Sequence, residues 1–297
     1  MSSTKEPLYK SLSGNYYELD FTLRKQIKPD YEEMFYVLDV NNVSIAKENI
    51  DAKRKEIKAV EDFLVSCKST MKGKRILEFG YGDAVRTFAL KEVSEGFVKG
   101  IDTERYFTKE QYAFNTKMRD EFSKYFNLKE NPIFEEGSIV DFTDEPYDFI
   151  FSWDTLEHVL NPEQMFNNLY KLLKPNGWAI NIYSPFFAFN GGHSLCTLDF
   201  PYGHCRLSND DVVNYIKELR PDEVKLATPF FLKNLNRMTQ NEAIFYATSA
   251  GFYIERFFTS PNIPLYQPSF VDEVRKYYPM ATPTDLMCDR VTLLLRK

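Results

Sequence analysis

All three histidines of this 297-residue chain, His158, His193 and His204, fall between positions 158 and 204. His193 and His204 flank Asp199, and Arg206 follows closely. Such a group could supply a proton acceptor, a carboxylate to orient it and a cation to anchor an anionic substrate. A second set lies in RILEFGYGDA, residues 75–84, where Glu78, Gly80, Gly82 and Asp83 stand at the end of an apolar run. Asp102 closes the next apolar run, FVKGID. Glycines let the backbone turn sharply and approach a ligand, and a carboxylate at a strand end can accept from both hydroxyls of a ribose. A pyrophosphate needs bare amide N–H groups at a helix start, so the acidic flanks favour a nucleotide carrying an ammonium or sulfonium cation.

These residues need a frame, and short apolar runs alternating with helix-like intervals from position 74 onward provide one. RILEFG, FVKGID, PIFEEG, YDFIFSW and WAINIYS read as five strands, with DAVRTFALKEVS, KEQYAFNTKMRDEFSKYF and PEQMFNNLYKLLK as helices between them. This predicts an α/β fold with a mostly parallel sheet covered on both faces. Residues 186–240 break the alternation with glycines, prolines and polar clusters, which predicts a long loop with one helix near 209–219. GFYIERFF and RVTLLLR are the last two strands, separated by a proline-stiffened excursion, PNIPLYQPSF. Residues 1–70 are expected to form an N-terminal helical cap over a catalytic domain spanning 71–297, with Tyr16 and Tyr17 as lid candidates.

The ordered set resembles the class I adenosylmethionine-dependent methyltransferases. Glu78, Gly80 and Gly82 match the first motif of that family, with Ala84 where a third glycine is usual; the added methyl is small. The resemblance runs through Asp102 and through residues 147–185, YDFIFSWDTLEHVLNPEQMFNNLYKLLKPNGWAINIYSP. It implies a Rossmann-like seven-stranded sheet, S-adenosyl-L-methionine as cofactor and a closing antiparallel strand pair. It further implies that Ser138 and Ile139 contact the adenine, with serine replacing the usual acid, and that Trp153 and Asp154 face the cofactor mouth. His158, in the LEH signature, is expected in a pocket wall or in packing. His193, on the NGGH turn near the fifth strand's exit, ranks first as the base, with His204 close behind.

Composition narrows the acceptor. A formal charge of -6 and a pI near 5.4 do not favour general attraction to nucleic acid. The Asn-Pro-Pro-Tyr type of base-methylating motif is absent at the fourth strand, where SWDTLEH occurs. The expected acceptor is therefore a small polar metabolite, sugar-derived or anionic, methylated on oxygen or nitrogen; the link to carbohydrate is an analogy. His193, His204 and Asp199 lack compact metal-ligand spacing, so no metal is assigned. Four cysteines without CxxC spacing, no apolar leader and no long apolar run predict reduced thiols, a cytoplasmic location and no membrane span. Two other classes stay open: a nicotinamide-dependent oxidoreductase, and a binding protein that holds adenosylmethionine without turnover. Exposed aromatic strips could support a homodimer.

Overall fold

The computed structural model describes residues 7–23, 43–103, 119, 122–126, 128–261 and 265–297. In chain order, the hairpin β1 (Leu8–Lys10) and β2 (Tyr16–Glu18) is followed by α1 (Val43–Ser66), β3 (Arg75–Phe79), α2 (Val85–Ser94), β4 (Phe97–Asp102), β5 (Ile133–Glu136) and β6 (Tyr147–Trp153). Then come α3 (Pro162–Leu172), β7 (Leu173–Tyr183), α4 (Gly203–Arg206), α5 (Asn209–Leu219), α6 (Val224–Lys233) and α7 (Gln240–Ser249). β8 (Tyr253–Pro261), α8 (Ser269–Arg275), α9 (Pro283–Leu286) and β9 (Cys288–Arg296) complete the chain.

Seven strands form one sheet in the order β5-β4-β3-β6-β7-β9-β8. The five read from sequence pair in parallel, and β9 runs antiparallel between β7 and β8. Apolar side chains on both faces of β3 and β6 explain why these strands read as unbroken apolar runs. One face packs Ile76, Phe149, Phe151 and Trp153 with α1 and α2; the other packs Leu77, Ile150, Leu169 and Leu293 with α3 and α7. At α3, Asn161 caps the first turn by accepting from the Gln164 amide at 3.1 Å, with Pro162 just inside it. Most of the helix expected over residues 109–126 lies outside the described residues; 122–125 are helical.

The segment after β7 is more ordered than its sequence predicts. In place of a long loop with one helix, α4 to α7 follow one another, and α8 and α9 occupy the interval between β8 and β9. A third core holds them together around Phe186, Phe187, Tyr202, Tyr215, Phe231 and Leu286. On α5, Val212, Tyr215 and Ile216 point inward at helical spacing, and Ser208 caps its start. The N-terminal cap also differs from an all-helical one. Residues 8–18 form a hairpin that joins this third core through Tyr9, whose hydroxyl donates to the Asp211 carbonyl at 3.0 Å. Tyr17 stacks on Phe200 at 4.7 Å. Alternating polar residues hid these contacts, because their partners lie about 200 positions away in the chain.

Candidate active site

The C-terminal ends of β3, β4, β5 and β6 converge, as in open α/β sheets that bind ligands at the strand exits. Gly80 follows β3 at φ 70° and donates its N–H to the Ile101 carbonyl at 2.8 Å. A Cβ there would sit 2.2 Å from the Thr155 side chain, so the close approach needs glycine. Thr155 donates to the Trp153 carbonyl at 2.9 Å and reaches the Gly80 carbonyl at 3.2 Å, tying the β3 turn to the β6 turn. Gly82 also has positive φ, 51°, but no described atom lies within 4 Å of a Cβ built on it. Ala84, where the third glycine is replaced, adopts φ 65° and is fully buried, so the turn survives with its methyl group.

Asp102 ends β4 with both carboxylate oxygens oriented: the Gly82 amide donates to one at 2.9 Å and the Thr103 amide to the other at 2.8 Å. Burial raises its pKa to about 6 against these hydrogen bonds. The Gly137 amide donates to the Asp102 carbonyl at 2.9 Å, which sets Ser138 and buried Ile139 beside the same strand end. Glu78 lies inside, 2% exposed, accepting from the Thr87 hydroxyl at 2.5 Å; burial raises its pKa to about 8. Asp83 instead pairs with Lys53 of α1, so its charge fastens that helix to the turn. Trp153 stacks on Phe151 at 5.3 Å, and its buried indole N–H has no partner among the described residues. Asp154 takes φ 50° at the β6 exit and pairs with Arg290, at the start of β9, at 2.9 Å.

Oriented carboxylate oxygens, open space above Gly82 and an orphaned indole donor fit a nucleoside ligand with a polar tail. Asp102 would hold the ribose hydroxyls, Gly80 and Gly82 the approaching backbone, and Ser138 and Ile139 the base. Among the described residues no three His, Cys, Asp or Glu side chains gather to hold a metal ion.

The acceptor-side residues do not assemble as their sequence grouping suggested. Asp199 meets neither loop histidine; the Tyr215 hydroxyl donates to its carboxylate and the Asp20 amide to its carbonyl. Arg206 binds Glu273 through two nitrogens, 3.0 and 3.3 Å, and lies over the rings of Phe270, Tyr17 and Phe200. It clasps α4 to α8. His204 is 0% exposed and donates Nε2–H to the Phe186 carbonyl at 2.7 Å; burial presses its pKa to about 3. Burial of Asp199 and His204, and the pairing of Arg206 with Glu273, depart from the arrangement expected of these three. His193 is partly exposed, with its ring 4.3 Å from that of Phe230 and 6.2 Å from that of His158.

Sequence reasoning overlooked Thr155, Arg290 and the precise holding of His158. The Leu156–His158 turn is gripped by residues that close α6. Asn236 donates to the carbonyls of Leu156 at 2.7 Å, Glu157 at 2.9 Å and Val159 at 3.0 Å, while His158 Nδ1 donates to the Asn234 carbonyl at 2.8 Å. The compact spacing of DTLEH after the β6 exit was the available signal.

The chain belongs to the methyltransferase-domain family, whose model matches residues 51–207. It is an adenosylmethionine-dependent methyltransferase with a Rossmann-like fold, and S-adenosylmethionine is its methyl donor. No curated protein matches the sequence. Among solved structures it is similar to a magnesium protoporphyrin IX methyltransferase from Synechocystis PCC 6803 crystallised with bound SAH, at 14% identity and a TM-score of 0.46, covering 85% of this chain and 87% of that one. It is also similar to an S-adenosylmethionine dependent methyltransferase from Mesorhizobium loti, at 12% identity and 0.47, covering 76% and 92%. No helix among the described residues is long and apolar enough to cross a membrane.

Proposed function

We propose that the chain methylates an oxygen or nitrogen nucleophile of a small polar metabolite, sugar-derived or anionic. The observation that carries this reading is the helical layer of α4 to α9 built beyond β7, whose Phe230 and His193 stand over the turn that carries His158. This layer, joined by the β1–β2 hairpin, is an acceptor cap on a catalytic domain, and an overall charge of -6 suits a small molecule better than nucleic acid. Arg290, 38% exposed at the strand exits, takes the anion-anchoring place first considered for Arg206. Four free cysteines accord with a reducing, cytoplasmic setting.

On the cofactor side, Asp102 binds the ribose, Ser138 and Ile139 border the adenine, and Glu78, Gly80, Gly82, Trp153 and Asp154 shape the methionyl end. When bound, adenosylmethionine offers a methyl carbon on positive sulfur; the acceptor's lone pair bonds to that carbon as the carbon–sulfur bond breaks, its electrons remaining on sulfur. The protein's task is then alignment and removal of the acceptor's proton. A screen of sugar, hydroxy-acid, phenol and amine acceptors, read as S-adenosylhomocysteine formed, tests the reading. Turnover of one class supports it, whereas transfer confined to protein or nucleic-acid substrates overturns it.

A further inference from the structure

Two donors with unspent hydrogens meet where α1, the first turn of α2 and the exit of β6 come together. Trp153 ends β6 only 3% exposed, and its indole N–H has no partner among the described residues. That group can only donate, and leaving it buried and unmet costs free energy that a ligand's acceptor would recover. Over the same ring, at 5.3 Å, lies the guanidinium of Arg86, the second residue of α2.

Arg86 is held without being used up. Its Nε donates to Glu56 of α1 at 3.0 Å, and among the described residues its two terminal nitrogens make no hydrogen bond. One turn earlier on α1, Lys53 pairs with Asp83, so two ion pairs fasten α1 to the residues flanking Ala84. Ala84 opens α2 with a methyl group where a capping oxygen would stand, and a helix start favours negative charge. Asp83 supplies part of that charge by accepting from the Val85 amide at 3.1 Å. An indole N–H and a guanidinium cannot satisfy each other; side by side they call for an anionic acceptor with two oxygens, which is a carboxylate. The methyl donor carries one, at the end of its methionyl tail. The same turn serves both ends of such a ligand: its Gly82 amide meets the Asp102 carboxylate, and Arg86 follows Ala84 by two residues.

We propose that Trp153 and Arg86 recognise the carboxylate of the methyl donor's amino-acid tail, the indole Nε1–H and a terminal guanidinium N–H each donating to one of its oxygens. Glu56 fixes the guanidinium over the ring. This rests on the cofactor placement given above. The two residues then select an adenosine ligand by its tail, where Asp102 selects it by its ribose.

Adenosylmethionine and its decarboxylated form differ by that one group, and both can be titrated calorimetrically into the full chain with no acceptor present. Wild type is expected to prefer adenosylmethionine by roughly 10²- to 10³-fold, the worth of two charge-assisted hydrogen bonds. Trp153→Phe keeps an aromatic ring on Phe151 and under Arg86 and removes the N–H. It should weaken adenosylmethionine roughly tenfold and leave the decarboxylated form within about twofold. Arg86→Gln should act in the same direction by roughly 10- to 100-fold, and Trp153→Phe carries the test if that variant does not fold. Equal losses for both ligands, or no loss for adenosylmethionine in Trp153→Phe, overturns the proposal. Equal binding of the two ligands by wild type overturns it while leaving the nucleoside site standing. A folded wild type that binds neither overturns the cofactor placement with it.

Discussion

Two groups of ionisable side chains lie near the strand exits, and burial shifts both toward their neutral forms, in opposite directions. On the cofactor side it lifts carboxylates, Glu78 to about 8 and Asp102 to about 6. On the acceptor side it depresses imidazoles, His193 to about 3 and His158 in the same direction. Their hydrogen-bond partners differ in kind. Amide and hydroxyl donors meet the carboxylates, so the charged form is prepared before a cationic ligand arrives. A carbonyl acceptor meets His158 Nδ1 instead.

Breaking the cofactor half with Asp102→Ala should remove charge-assisted hydrogen bonds worth about 3 kcal/mol, which is about a hundredfold in Kd. Gly80→Ala should destabilise the fold by about 2 kcal/mol in a denaturant titration, because positive φ and the Thr155 contact act together. Gly82→Ala, strained but uncrowded, should cost about 1 kcal/mol. The gap between them sharpens which glycine faces protein and which faces ligand.

The pH dependence follows from the raised Asp102 value. Ribose hydroxyls donate, so binding needs the carboxylate, and protonation below about pH 6 removes the acceptor. Affinity for adenosylmethionine should therefore hold above that pH and decline below it by about tenfold per unit. A Kd flat from pH 4.5 to 8 would show that Asp102 does not carry the contact. Smallest on chemistry is Arg206→Ala, which should lower thermal stability through the lost Glu273 pair and ring contacts yet leave cofactor affinity unchanged.

The turns and strand ends of the cofactor half were legible because their determinants are local. Gly80 and Gly82 report turn geometry, Asp102 reports a strand end, and the apolar runs around them alternate with helices. The acceptor half depends on pairings across long stretches of chain. Asp199 stands between two histidines in sequence yet bonds Tyr215, Arg206 finds Glu273 at 67 positions, and His158 finds Asn234 at 76. No spacing encodes those meetings, and tautomers depend on them entirely. Tyr9 and Leu19, too, belong to a core otherwise made of residues 186–286, far from them in the chain.

Calorimetric titration of adenosylmethionine into the purified full chain tests the central claim most directly. Saturable one-site binding by wild type, together with weak binding by Asp102→Ala, is the predicted result. No binding by a demonstrably folded wild-type protein, or equal affinity in Asp102→Ala, would contradict the account.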